Sequence, residues 1–119
     1  MKILIIDDDK NYADTIKDIL DEYGYKCICL LDASNAHETS KTFQPNIILC
    51  DLKMPMSGFS VAYHLGENDK KIIILGVTSY YHIENEHWLV KLCNFKKIFD
   101  KSNTQELIDY LKELQCQMS

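Results

Sequence analysis

The sequence predicts a doubly wound α/β domain, a five-stranded parallel sheet with helices on both faces, and three observations carry that prediction. Strand-like and helix-like periodicities alternate along the whole of the 119 residues. The strand-like runs at 2–6 and 46–50 are apolar at nearly every position, as strands are when both their faces are covered. Polar residues gather where four of the runs end, and parallel sheets build their sites at the carboxyl ends of strands, near the point where strand order reverses. An apolar fraction of 46% is enough for one domain, residues 1–119, to fill a single core.

The elements follow in order. Lys2 to Ile6 reads as the first strand. Tyr12, Ile16, Ile19, Leu20 and Tyr23 then recur at helical spacing, with Asp9 placed to cap the start and Gly24 standing where a left-handed residue ends a helix. Cys27 to Leu31 is a second strand, Ser34 to Phe43 a polar helix closed by Pro45, and Asn46 to Cys50 a third strand. Phe59 to Leu65 suggests a short helix, Ile72 to Val77 a strand rich in β-branched residues, and Ile83 to Leu92 a helix that Asn94 stops. Lys97 to Asp100 makes a weak fifth strand. Leu107, Ile108, Leu111 and Leu114 mark a last amphipathic helix that Thr104 is placed to cap.

Composition removes several functions. Eighteen acidic against 13 basic residues leave a net charge of −5, and no run of Lys or Arg follows a phosphate backbone, so direct nucleic-acid binding is not expected. Only Lys2 precedes the first apolar run, which meets Asp7, Asp8 and Asp9; this is neither a signal peptide nor a membrane span, and no membrane partner is expected. The five cysteines are an odd number and mostly lie in apolar segments, where Cys acts as a small hydrophobe. Cys27 and Cys29 share one face of a strand rather than forming a zinc pair on a loop, and a reducing cytoplasm is the expected compartment. His82, Glu86 and His87 read as a solvated helix face.

The strand ends carry the chemistry: Asp7 and Asp8 after the first, Asp51 after the third, Thr78 after the fourth and Lys101 after the fifth. Clustered carboxylates repel one another unless a cation neutralises them. An all-oxygen set suits Mg²⁺, which keeps several waters and often links carboxylates to a phosphate. A phosphoryl group is therefore the expected visitor, with Thr78 donating a hydrogen bond to one of its oxygens and Lys101 supplying charge to another. Such groups offset charge on the equatorial oxygens of an in-line transfer.

These segments resemble a known family. ILIIDDD looks like the first strand and acidic pair of the receiver domains of two-component response regulators. IILCDLKMP resembles their phosphoacceptor strand and loop, VTS their Thr/Ser strand end and FDK their Lys strand end, all in order. The resemblance implies a flavodoxin-like strand order 2-1-3-4-5, with Asp51 as phosphoacceptor. It implies that Asp7, Asp8, Asp51 and the backbone carbonyl of Lys53 hold Mg²⁺, while Thr78 and Lys101 contact the phosphoryl group. The donor would be a histidine kinase or phosphotransfer protein. The chain would assist its own phosphorylation and dephosphorylation without being an enzyme, and would signal to an output protein, or to a second copy, through the face of the fourth helix, fifth strand and fifth helix. Trp88 is expected near that face, as a reporter of movement in the loop of Ser79, Tyr80 and Tyr81. The short chain is expected to be a stand-alone receiver or one excised from a longer regulator.

Three positions depart from the family pattern. The loop after Asp51 (Met54, Pro55, Met56, Ser57, Gly58) is one residue shorter. Ser102 stands where the family commonly has Pro, and since a cis bond without proline costs about 2.5–4 kcal/mol, a trans bond and a shifted Lys101 are expected. Ile98 occupies the place of an aromatic that turns inward on activation, and Phe99 points to the opposite face of the strand.

Other readings fit less well. A haloacid-dehalogenase-like phosphatase needs a second Asp two residues after its nucleophile and then Thr or Val after one more, whereas Asn11 stands in that last place after Asp7 and Asp9 here. A flavin carrier of the same fold needs a phosphate loop after the first strand, where three aspartates would repel the phosphate. A degenerate receiver that only binds proteins would not need Asp51, Thr78 and Lys101 together.

Overall fold

The computed structural model describes residues 1–52, 71–79 and 95–118. The helices expected at 59–65 and 83–92, the loop after Lys53, Asn94, the charged face at 82–87, Tyr80, Tyr81 and Trp88 lie outside the described residues. Strands β1 (Lys2–Ile6), β2 (Lys26–Leu30), β3 (Ile47–Asp51), β4 (Ile73–Thr78) and β5 (Phe95–Asp100) form one sheet in the order β2-β1-β3-β4-β5. Every pairing is parallel. Helices α1 (Lys10–Glu22), α2 (Ala36–Phe43) and α3 (Thr104–Met118) complete the described elements.

Alternation along the strands sorts side chains into two layers. Ile3, Ile5, Leu49 and Val77 pack with Ala13, Ile16 and Leu20 of α1 and with Leu107, Leu111 and Leu114 of α3. On the opposite face Leu4, Ile6, Ile48 and Ile74 pack with Ala36 of α2. Helices therefore cover both faces, as the pattern predicts. Each isoleucine removed from water contributes roughly 1.5–3 kcal/mol. Short helices are marginal alone, so these layers rather than helix propensity hold α1 and α2 in place.

Helix ends are settled by local hydrogen bonds. The Asp9 carboxylate accepts from the Tyr12 amide at 3.2 Å, as expected of a cap. At the other end Gly24 adopts φ 88°, its amide donates to Asp21 O at 3.0 Å, and the Tyr25 amide donates to Leu20 O at 3.2 Å. That pair of bonds is a Schellman closure. Tyr23, expected on the buried stripe, is 43% exposed because it sits at the cap itself, with Lys112 Nζ 4.6 Å from its ring centroid.

Two helix starts differ from expectation. α2 starts at Ala36 rather than Ser34, because the Asp32 carboxylate draws the Ser34 amide (2.9 Å) and hydroxyl into a turn. Asn103, not Thr104, caps α3: its Oδ1 accepts from the Glu106 amide at 3.2 Å and its Nδ2 donates to Glu106 Oε2 at 2.9 Å.

β5 is longer than its sequence suggests, and the reason is a bulge. Ile74 pairs with Phe95, but Leu75 pairs with Lys97, so Lys96 is inserted in the ladder. The extra residue puts Phe95 and Ile98 in the same layer. Phe99 points into the other layer, its ring 5.3 Å from that of Tyr110, so it does not stand in for an aromatic at position 98.

Candidate functional site

Strand order reverses beside β1, and the residues that follow β1 and end β3 meet there. The Asp7 amide still donates to Leu30 O (3.0 Å), so the ladder holds this residue rigidly while its side chain turns to the carboxyl end of the sheet. Asp51 is the last residue of β3, in register with Val77, one residue before Thr78. The Leu52 amide continues the ladder to Val77 O at 3.0 Å. Leu52 lies down over the sheet because position 76 is glycine: a Cβ there would stand 2.9 Å from Leu52 Cδ2 and 3.2 Å from Ile98 Cγ1.

Asp7 is fully buried and Asp51 nearly so, whereas Asp8 is exposed. One carboxylate oxygen from each lies within 4.8 Å of the others. Asp7 Oδ1 accepts from the Asp9 amide at 2.9 Å. Its Oδ2, wholly buried, faces the ammonium of Lys101 at 2.8 Å and finds no other partner among the described residues. Lys101 Nζ is also 3.5 Å from Asp51 Oδ2. Lys101 thus bridges the two buried carboxylates, with the third, Asp8, at the rim of the same cluster. An under-satisfied buried oxygen in an all-oxygen set is what a hard divalent ion requires, and Mg²⁺ fits this donor set.

Lys101 is fixed at its backbone, where its amide donates to Thr78 O at 2.9 Å. Burial alone would push its ammonium pKa down, but Asp7 and then Asp51 outweigh it and hold the group above the ordinary lysine value. The Lys101–Ser102 bond is trans, as expected. Ser102 makes contacts that proline lacks: its amide and hydroxyl donate to Asp100 Oδ1 at 2.9 and 2.7 Å. Those two bonds hold the Asp100 carboxyl below the usual range and keep it out of the cluster.

Thr78 ends β4 fully buried. Asp7, Asp8, Asp51, Thr78 and Lys101 therefore all fall on one end of the sheet, while Lys53 lies outside the described residues. Cys50 adjoins Asp51 in the core, and burial, then Asp51 and Asp7, push its thiol up to about 12, which keeps it an inert hydrophobe. Sequence reasoning missed Tyr12, which it counted only as a packing residue. Burial, then Asp7 and Asp51, hold its phenol above the ordinary value, and its ring lies beside Lys101. Its place in the first turn of α1, three residues after the last of the acidic run, was the available signal.

The geometry separates two neighbouring acids. Asp8 belongs to the carboxylate cluster, while the Asp9 side chain is committed to the helix cap. Asp8→Ala is expected to weaken Mg²⁺ binding by tenfold or more, on the order of 1.4 kcal/mol. Asp9→Ala is expected to cost about 1 kcal/mol of stability with little change in affinity. Isothermal titration and urea melts of both variants check this, and the reverse order of affinities would shift the site by one residue.

A family model described as the response regulator receiver domain matches residues 3–114. The probable transcriptional regulator ycf27 of Porphyridium aerugineum is 35% identical over 80 residues, 66% of this chain and 33% of that protein. The chain spans about a quarter to a third of the length of the curated relatives it matches. Among solved structures, the signal receiver domain of a DNA-binding response regulator from Colwellia psychrerythraea superposes with a TM-score of 0.86 at 27% identity, covering 96% of this chain and 97% of that one. The response regulator TrrA of Thermotoga maritima, solved in complex with Mg(2+)-BeF, gives 0.81 at 26% identity, covering 95% and 97%.

Proposed function

The chain belongs to the response regulator receiver family, and on that premise we propose that Asp51 accepts a phosphoryl group in a Mg²⁺-dependent transfer from a histidine kinase or phosphotransfer protein in the cytoplasm. The observation that carries the proposal is the convergence of the Asp7, Asp8 and Asp51 carboxylates within 4.8 Å, with Lys101 reaching both buried ones. A carboxylate oxygen of Asp51 attacks phosphorus, the new O–P bond forms as the bond to the donor breaks, and the donor leaves with its electron pair. Lys101 and the Thr78 hydroxyl then meet two of the phosphoryl oxygens. Asp7, Asp8 and Asp51 would hold Mg²⁺ together with the Lys53 carbonyl, and the ion supplies neutralising charge to the transferring group.

Support comes also from the complex of TrrA with Mg(2+)-BeF, a relative of the same fold. In the proposed cycle the phosphorylated form signals to an output protein or a second copy through the face of the helix expected at 83–92, β5 and α3. No described helix is long and apolar enough to cross a membrane. Intact-mass spectrometry after incubation with a small acyl phosphate tests the proposal. One phosphoryl mass is expected in Mg²⁺ and none in EDTA; no gain in Mg²⁺ would leave an interaction module without phosphotransfer.

A further inference from the structure

Lys101 has a third neighbour. The centroid of the Tyr12 ring lies 4.7 Å from Lys101 Nζ, while Asp7 Oδ2 and Asp51 Oδ2 stand at 2.8 and 3.5 Å. An ammonium at that distance is attracted by the negative face of the ring. Tyr12 is itself placed by the acidic run: Asp7 Oδ1 accepts from the Asp9 amide at 2.9 Å, and Asp9 Oδ1 accepts from the Tyr12 amide at 3.2 Å. Contacts thus leave Asp7 by one oxygen and return to the other through Asp9, Tyr12 and Lys101.

This closed circuit solves a problem of the lysine side chain. A four-carbon stem with a compact charge has many rotamers, and two carboxylates at unequal distances do not choose one orientation. The half-buried ring of Tyr12 limits the ammonium to a position that touches both carboxylates and keeps a small solvent edge, the Lys101 side chain being 11% exposed. We propose that Tyr12 is the positioning residue of this site, its ring face holding the Lys101 ammonium between Asp7 and Asp51 where an incoming phosphoryl oxygen meets it. The kinetic consequence rests on Asp51 being the phosphoacceptor; the contact itself does not.

Two substitutions separate ring from bulk. Tyr12→Phe keeps the aromatic face, whereas Tyr12→Leu keeps only apolar volume. At fixed Mg²⁺ and small acyl phosphate, Tyr12→Leu is expected to slow Asp51 phosphorylation about three- to thirtyfold, and Tyr12→Phe to stay within about twofold of wild type. In the unphosphorylated protein the Lys101 Hε resonances are expected upfield in wild type and Tyr12→Phe, shifted by the ring current, and at the ordinary lysine position in Tyr12→Leu. Equal rates in wild type and Tyr12→Leu would overturn the positioning role. So would a Tyr12→Phe rate as low as that of Tyr12→Leu, or unshifted Lys101 resonances in wild type. A wild-type protein that takes no phosphoryl group would instead overturn the reading of Asp51, which the spectra do not depend on.

Discussion

Asp51→Asn is expected to abolish phosphoryl incorporation while leaving a folded protein. The amide is nearly isosteric with the carboxylate, so the end of β3 and the Leu52 ladder bond to Val77 O remain, but an amide oxygen is far too weak a nucleophile toward phosphorus. Neither neighbouring acid is placed to substitute. Asp7 is fully buried, with one oxygen on the Asp9 amide and the other against Lys101, and Asp8 is exposed at the rim. Wild-type stabilisation by Mg²⁺ should also shrink, because a ligand at a hundredfold excess over its Kd adds about 2.7 kcal/mol and the variant lacks one donor. Intact-mass spectrometry and thermal melts with and without Mg²⁺ read both effects. A phosphoryl mass that persists at another carboxylate would remove Asp51 from its assigned role.

Lys101→Met is expected to be the most destabilising substitution in the site. Methionine keeps most of the stem's volume and deletes the cation that faces a fully buried Asp7 and a nearly buried Asp51. Breaking a buried pair by removing one partner leaves an uncompensated charge, and a loss of about 3 kcal/mol is expected in EDTA, the low end of the usual range because the lysine keeps a solvent edge. Mg²⁺ should recover part of it, since the ion answers the same repulsion. The sign with pH follows from the raised lysine pKa. Its stabilisation is complete below the unfolded value of 10.5 and is lost as pH rises through the higher folded value. Wild type and variant should therefore differ most at neutral pH and converge on the alkaline side above about 10.5. Urea melts across that range in EDTA measure the gap, and a gap that widens above it would contradict the ion-pair account.

The candidate site was largely legible because its members sit at strand ends, and strand ends show in sequence as the place where an apolar run stops. Asp7, Asp51, Thr78 and Lys101 are each found that way, and the structure sets all of them on one end of the sheet. Boundaries were less legible. β2 begins at Lys26 because that amide donates to Met1 O at 3.0 Å, a bond between residues 25 apart in sequence that no local pattern records. The sequence pattern placed the cap of the last helix at Thr104, and only the geometry of the Glu106 amide moves it to Asn103.

What the sequence determined by itself is periodic: repeats of two and of 3.6 residues report which side of a strand or helix leaves water, and from them follow the α/β class, the covered strands and the polar strand ends. What only the tertiary structure decided is contact between elements. The bulge at Lys96 reverses the alternation in β5 and moves Phe95 into the layer of Ile98. Gly76 gives Leu52 room beside Asp51. The ring of Tyr12, read from its spacing as core, lies against a lysine 89 positions later in the chain, at 4.7 Å. Periodicity encodes burial, which is a property of one residue and its own element; the pairing of distant side chains depends on how whole elements are set against each other, and appears only once they are packed.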